Sequence, residues 1–264
     1  MQSIIMGVIQ GICEFLPISS SGHLAIMQIY MGMSENMLTY DILLHFATLL
    51  ATVIYFKHDI LMILSDWFKG WTGERKSGWI YGWSIILTTL ITGIIGILLK
   101  DTAERFSQSI TLVGAGEIAT GIMLLMMPII SRPRNFSLLT LSIVVGIAQG
   151  IAVLPGVSRS GMSIFACVIM GMGIIEAFRY SFLISIPAIL GATMLEFLKA
   201  YKGTETIYLP EYGIIGCASA FILGLLSLMI MRRIVKVKNW SYFGIYCIII
   251  GVIAEVLVSV TPRF

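Results

Sequence analysis

Six stretches of this chain, at 38–57, 78–99, 109–131, 174–199, 211–231 and 240–262, are apolar enough and long enough to cross a lipid bilayer. A spanning helix needs about 20 such residues at a rise of ~1.5 Å each. Together with two broken apolar regions, these runs consume most of the 264 residues, so no separate soluble domain fits. Charged residues make up 12% of the chain, about half of the ~25% usual in soluble domains. A soluble globular domain, a disordered chain and a disulfide scaffold are therefore excluded. The net charge of +3 contains no long basic run, so no nucleic-acid partner is expected. Cys13, Cys167, Cys217 and Cys247 stand singly in apolar segments and read as small buried hydrophobes. The start, Met1-Gln2-Ser3, lacks the basic n-region of a cleavable signal, so the first apolar segment is expected to stay in the mature protein.

The two broken regions, 2–31 and 136–172, are apolar but interrupted near the middle. The interruptions are Leu16-Pro17-Ile18-Ser19-Ser20-Ser21-Gly22-His23 and Leu154-Pro155-Gly156-Val157-Ser158-Arg159-Ser160-Gly161. Proline and glycine stop a helix, and non-helical backbone at membrane depth survives only where protein or a wet cavity surrounds it. Both regions are expected to form helical hairpins that enter and leave on the same face.

The hairpins are also related to each other. An ungapped offset of 139 matches Gly7 with Gly146, Gln10 with Gln149, Gly11 with Gly150, Ile12 with Ile151, Ser19 with Ser158, Ser21 with Ser160 and Gly22 with Gly161. Six of these seven identities are glycine or polar, which chance similarity of apolar segments does not supply. Each half then holds one hairpin and three spans, and an odd number of crossings turns the second half upside down. The expected fold is an all-α integral membrane protein of six transmembrane helices plus two re-entrant hairpins in inverted-topology repeats. It is a single membrane domain, 1–264, with halves at about 1–131 and 136–264.

Loop charges set an orientation. One face collects Lys57, Lys69, Arg75, Lys76, Arg132, Arg134, Arg232, Arg233, Lys236 and Lys238; the other collects Lys100, Arg105, Lys199, Lys202 and Arg263. The positive-inside rule puts the richer face in the cytoplasm. Both termini and the mouth of the first hairpin are then expected to face outward, with the second hairpin opening to the cytoplasm and its tip pointing at the first.

Ionisable groups at the bilayer centre cost from about 3 to more than 10 kcal/mol, so polar clusters there call for an explanation. The first hairpin carries Gln10, Glu14, Ser19, Ser20, Ser21 and His23; the second carries Ser158, Arg159, Ser160 and Ser163. Gln10 and Glu14 are four apart and share a helix face. The segment Gly156–Gly161, opening a helix, offers free N–H groups and hydroxyls to an anion, and Arg159 adds a planar fork suited to phosphate oxygens. A carboxylate beside it suits a divalent metal held jointly with phosphate. Histidine near serine can move a proton at neutral pH. The residues thus point to a phosphate-handling site with acid–base capacity inside the membrane. Asp41 and His45, an i, i+4 pair, are expected to satisfy each other near the interface. Inter-helix pairing is expected of Glu117, Glu176, Arg179, Glu255 and Gln149, and the tryptophans are expected at span ends.

Gln10-Gly-Ile-Cys-Glu14, Leu16-Pro-Ile-Ser-Ser-Ser-Gly-His23 and Pro155-Gly-Val-Ser-Arg-Ser-Gly-Met-Ser163 closely resemble the motifs of the bacterial undecaprenyl-diphosphatase family, the bacitracin-resistance BacA/UppP type. The resemblance extends over the whole chain; Gln10 is the amide version of its first motif position, and Ser163 replaces a terminal threonine. It implies hydrolysis of undecaprenyl diphosphate to the monophosphate and inorganic phosphate at the outer side of the bacterial cytoplasmic membrane. That reaction recycles the carrier lipid of peptidoglycan synthesis and confers bacitracin resistance. Carried over, the resemblance makes Glu14, Ser20, His23 and Arg159 catalytic, with Ser20 the candidate nucleophile. Gln10, Ser19, Ser21, Gly156, Ser158, Ser160 and Ser163 would bind substrate. Glu14 would hold Mg²⁺ or Ca²⁺, with Gln10 and Asp41 as further candidates. The expected partners are the polyprenyl diphosphate, the bilayer and a second copy of the chain. A polyprenyl-phosphate transporter or flippase on the same inverted-repeat plan is the alternative.

Overall fold

The computed structural model describes residues 1–33, 37–73, 77–130, 136–202, 209–237 and 240–260, and every regular element among them is a helix. The first half runs α1 (Gln2–Cys13), α2 (Ser20–Tyr30), α3 (Leu38–Tyr55), α4 (Lys57–Trp71), α5 (Ser77–Leu98), α6 (Lys100–Ser107) and α7 (Ile110–Ile130). The second runs α8 (Leu138–Ile151), α9 (Arg159–Ile169), α10 (Ile174–Tyr201), α11 (Gly213–Val237) and α12 (Trp240–Val260). Helices α5, α7, α10, α11 and α12 are each long and apolar enough to cross a membrane. Helix α3 with α4 passes the same test only as a pair bent by 73°, which makes five or six crossings among the described residues. The chain is an all-α, multi-spanning membrane protein.

Two segments expected as loops are helices. Lys57 and Lys69 lie on α4, and Lys100 and Arg105 on α6. Both helices mix charges with apolar residues, so they lack the continuous apolar run that marks a span. The bend between α3 and α4 falls at Phe56, whose φ and ψ of −96° and 15° leave the helical well. Its ring is buried against Phe178 and Phe182, which anchors the corner. Of the basic residues used for orientation, Arg75, Lys76, Arg132, Arg134, Lys238 and Arg263 lie outside the described residues.

Packing depends on close backbone approach, as expected where lipid gives apolar side chains little reason to prefer protein. Gly114 and Gly121 on α7 face Gly251 and Gly244 on the antiparallel α12. A Cβ at Gly121 would lie 2.6 Å from the Gly244 carbonyl oxygen, and one at Gly251 2.6 Å from that of Gly114. Similarly, Gly7 and Gly11 of α1 lie against Gly216 and Ala220 of α11, while Gly146 and Gly150 of α8 lie against Ile91 and Ile95 of α5. Gly121→Ala is expected to force α7 and α12 apart at a cost of about 1–3 kcal/mol. Thermal unfolding in detergent reads this as a lowered Tm; an unchanged Tm would show that the helices separate freely.

Candidate active site

Both apolar hairpin regions break where the sequence places proline and glycine. In the first, the chain leaves α1 after Cys13, and Ser19 takes a left-handed φ of 57° before α2 begins. Ser19 Oγ accepts the Gly22 N–H at 3.2 Å, capping that helix. In the second, Gly156 supplies a φ of +91°, a conformation that suits glycine. Ser158 Oγ then accepts the Gly161 N–H at 3.1 Å. Ser19 with Gly22 and Ser158 with Gly161 are matched at the offset of 139, and each pair makes the same cap.

The two breaks touch. Ser160 Oγ donates to the Leu16 carbonyl oxygen at 3.1 Å, and the Arg159 guanidinium pairs with Glu14 Oε1. Glu14 Oε2 accepts from Ser20 Oγ at 2.6 Å and from Gln10 Nε2 at 3.1 Å. Gln10 Nε2 also donates to His45 Nδ1 at 2.8 Å and to Thr48 Oγ1 at 3.3 Å, bringing α3 into the cluster. Burying a lone carboxylate costs several kcal/mol; a guanidinium, a hydroxyl and an amide around Glu14 offset that cost. Phe15 and Phe182, with ring centroids 5.7 Å apart, form the apolar part of the wall next to Glu14. A small recess opens between Glu14, Thr52, Arg159, Ser160, Ser181 and Ser185. At about 10 Å³ it has room for roughly one water.

His23 lies one turn into α2, in an adjoining cluster. Its Nδ1–H donates to the Ser19 carbonyl oxygen at 2.8 Å and lies 3.3 Å from Glu117 Oε1. Its Nε2 meets the Tyr246 hydroxyl at 2.9 Å, and the two rings stack at 5.6 Å. Ser20 Oγ, expected beside His23, is turned instead to Glu14.

The remaining sequence-designated residues fall into two groups. Ser19 and Ser158 cap, Gly156 makes the turn, and Ser21 Oγ sits 3.4 Å from Ser19 Oγ. Ser163 Oγ donates to the Arg159 carbonyl at 2.8 Å and contacts Ser181 Oγ, one of the hydroxyls lining the recess, at 2.5 Å. The expected mutual pairing of Asp41 and His45 is not what forms. Asp41 accepts from Gln28 Nε2 at 2.8 Å, while His45 turns to Gln10 and lies 3.3 Å from Glu14 Oε2. Gln28 is one turn beyond Leu24 on α2, and neither its type nor its spacing marked it as the partner. Arg179 pairs with Asp59 of α4, and Gln149 donates to Thr92 Oγ1 at 3.3 Å, so both make inter-helix contacts away from the cluster. Thr48, Thr52, Ser181, Ser185 and Tyr246 were not singled out from the sequence. Each is one hydroxyl on a long apolar helix, a pattern shared with many packing residues.

Among the described residues, no three His, Cys, Asp or Glu side chains gather as a metal cluster. The site does offer Glu14 and the amide oxygen Gln10 Oε1, which is buried without a hydrogen-bond partner. One carboxylate and one neutral oxygen suit a hard divalent ion that keeps other positions for water and phosphate. Asp41, held by Gln28, does not join them.

Five or six apolar crossings around a buried carboxylate, guanidinium and serine hydroxyl, held where two broken helices meet, define a polytopic membrane protein built to handle an anionic headgroup. Comparison with known proteins narrows the class. The family model for the bacitracin resistance protein BacA matches residues 3–253, and the chain belongs to that family. It is 39% identical to an undecaprenyl-diphosphatase of Treponema denticola, covering 95% of this chain and 94% of the relative. It is 36% identical to one of Thermosipho melanesiensis, covering 96% and 98%. A third, from Carboxydothermus hydrogenoformans, is 37% identical over 97% and 96%.

Proposed function

We propose that this protein hydrolyses undecaprenyl diphosphate to undecaprenyl phosphate and inorganic phosphate, with the isoprenoid tail in the bilayer and the diphosphate at the meeting point of the two breaks. The observation that carries the reading is the Glu14 carboxylate, bound on one oxygen by Arg159 and on the other by Ser20 Oγ. Family membership and the printed names of the relatives agree with it. The transporter alternative is not favoured, since simple anion binding leaves the Ser20–Glu14 pair without a task.

The recess as it stands is far smaller than a diphosphate, because Arg159 and Glu14 fill the space with each other. Substrate entry exchanges the Arg159–Glu14 pair for Arg159 on the terminal phosphoryl oxygens, where the planar fork makes two parallel bonds. Ser160, Ser158 and the N-terminal amides of α9 complete an anion cradle. Glu14, released from Arg159, keeps Ser20 Oγ oriented and accepts its proton as the hydroxyl, or a water it holds, attacks the terminal phosphorus. The anhydride bond breaks toward the lipid monophosphate. Where Ser20 attacks, water then cleaves the phosphoserine, its OH going to phosphorus and a proton returning to Ser20 Oγ, which frees inorganic phosphate. Arg159 stabilises the charge on the transferring group, the largest contribution expected in phosphoryl transfer. His23, whose Nδ1–H is fixed by Ser19, supplies acid–base capacity at Nε2. A divalent ion held by Glu14 and Gln10 Oε1 would neutralise further phosphate charge.

The inverted-repeat plan, with halves 1–131 and 136–264 and both hairpins re-entrant, is part of this reading. Its supports are the matched caps and the parallel packing of α1 on α11 and of α8 on α5, each through matched glycines. The equivalent helices α7 and α12 also run antiparallel through reciprocal glycines. The outward-facing site follows from the charge bias. Ser3 Oγ donates to the Glu211 carbonyl at 2.6 Å, which groups the start of α1 with the end that carries Lys199 and Lys202.

Purified protein in detergent, given the C55 diphosphate with Mg²⁺ or Ca²⁺, is expected to release phosphate, and EDTA to lower the rate at least tenfold. No release under any metal condition, with lipid exchange between leaflets observed after reconstitution of the same protein into vesicles, would overturn the proposal in favour of the transporter. An EDTA-insensitive rate would remove the metal from it.

A further inference from the structure

The fully buried carboxylate of Glu117, in the middle of α7, has no part in the chemistry described so far. Among the described residues, neither of its oxygens has a well-formed hydrogen bond. The ionisable group against it is His23, with Nδ1 3.3 Å from Oε1. The thiols of Cys13 on α1 and Cys247 on α12 also face it. A carboxylate so placed in a membrane protein is costly unless something depends on it.

The backbone around Glu117 is arranged to admit it. A Cβ on Gly22 would stand 2.5 Å from Glu117 Oε1 and 2.9 Å from the Gly156 Cα, so only glycine lets the carboxylate reach under α2. The flanking α7 residues hold the second break: Gly116 lies against Pro155 and Gly156. Thr120 Oγ1 donates to the Gly156 carbonyl at 3.0 Å and accepts the Ser158 N–H at 3.1 Å. Helix α7 therefore places Glu117 at the seam of both hairpins, against the imidazole.

We infer that Glu117 is a positioning residue for His23, fixing its tautomer and ring orientation for proton transfer in the hydrolysis proposed above, on which this inference rests. Nδ1 faces two acceptors, the Ser19 carbonyl at 2.8 Å and Glu117 Oε1 at 3.3 Å, so the neutral ring carries its proton there. The lone pair is then on Nε2, where the Tyr246 O–H occupies it at 2.9 Å. Glu14 takes the proton of the attacking group. Nε2 takes a proton from solvent and gives it to the departing lipid monophosphate, and the carboxylate on the far side of the ring balances the transient imidazolium. The logic is that of an orienting acid behind a histidine base.

The test uses the full-length protein in detergent and four variants: Glu117→Gln, Glu117→Asp, His23→Asn and the double variant Glu117→Gln/His23→Asn. Glutamine keeps the size but presents an N–H to Nδ1, favouring the wrong tautomer. It is expected to lower kcat for phosphate release about a hundredfold with KM within about twofold. Aspartate, which keeps the charge, is expected to return kcat to within about tenfold of the parent. The double variant should be no slower than His23→Asn alone, because the two residues act as one unit. A Glu117→Gln loss that multiplies fully onto that of His23→Asn, or that aspartate does not relieve, would assign Glu117 to packing and overturn the inference. Full activity of Glu117→Gln beside an impaired His23→Asn would overturn it alone. Full activity of His23→Asn would overturn the acid–base reading of His23 and this inference together.

Discussion

Arg159→Ala is expected to lower kcat/KM for phosphate release from the C55 diphosphate about a thousandfold, roughly 4 kcal/mol of transition-state stabilisation. Arg159 is the cation in contact with Glu14, and its backbone opens α9 directly after the Ser158 cap, so the guanidinium and the helix N-terminus aim at one point. A phosphoryl group in transit spreads its charge over three oxygens, and removing the fork leaves that charge to the amides and hydroxyls alone. Lysine would restore charge without the planar pair of donors, and Arg159→Lys should still lose about a hundredfold. Phosphate-release kinetics across a substrate titration check both. A loss confined to KM would mean that Arg159 grips the ground state only, and near-parent activity in either variant would remove it from the site.

The contact between Arg159 and Glu14 was legible in the sequence only through the repeat. Two prolines, a glycine shortly after each and matched serines mark both breaks, and an inverted plan would make the breaks face each other. Length and apolar content marked the five long helices and α3 of the bent pair, because nothing but a bilayer accommodates runs of that kind. The rest was hidden for physical reasons. Helix α4 was missed because its charges, Lys57, Asp59, Asp66 and Lys69, resemble those of a loop while sitting on a helix that leaves the span at 73°. Glu117 was visible as a buried acid, yet which of several polar residues it meets depends on how α7 rotates against α2, set by Gly22 and Gly116. His45 was assigned to Asp41 by spacing alone. Four residues apart on a helix makes contact possible, and tertiary partners, Gln28 for one and Gln10 for the other, decided against it.

Glu14 should show activity and stability moving apart. Glu14→Gln is expected to lower turnover by about a thousandfold, since the amide neither accepts the Ser20 proton nor holds a divalent ion with charge. It also leaves the Arg159 guanidinium without its counter-charge, at a cost of up to about 3 kcal/mol seen as a lower Tm in detergent. Arg159→Ala strands Glu14 in the mirror-image way, although Ser20 and Gln10 still bind that carboxylate, so the fall in Tm should be smaller. Removing both charges removes the unpaired-charge penalty. The double variant Glu14→Gln/Arg159→Ala is therefore expected to recover part of the stability lost by Glu14→Gln while turnover stays at the floor. Additive falls in Tm would mean that the two side chains stabilise the fold independently, and then the joint between the hairpins would rest on Ser160 and the Leu16 carbonyl instead.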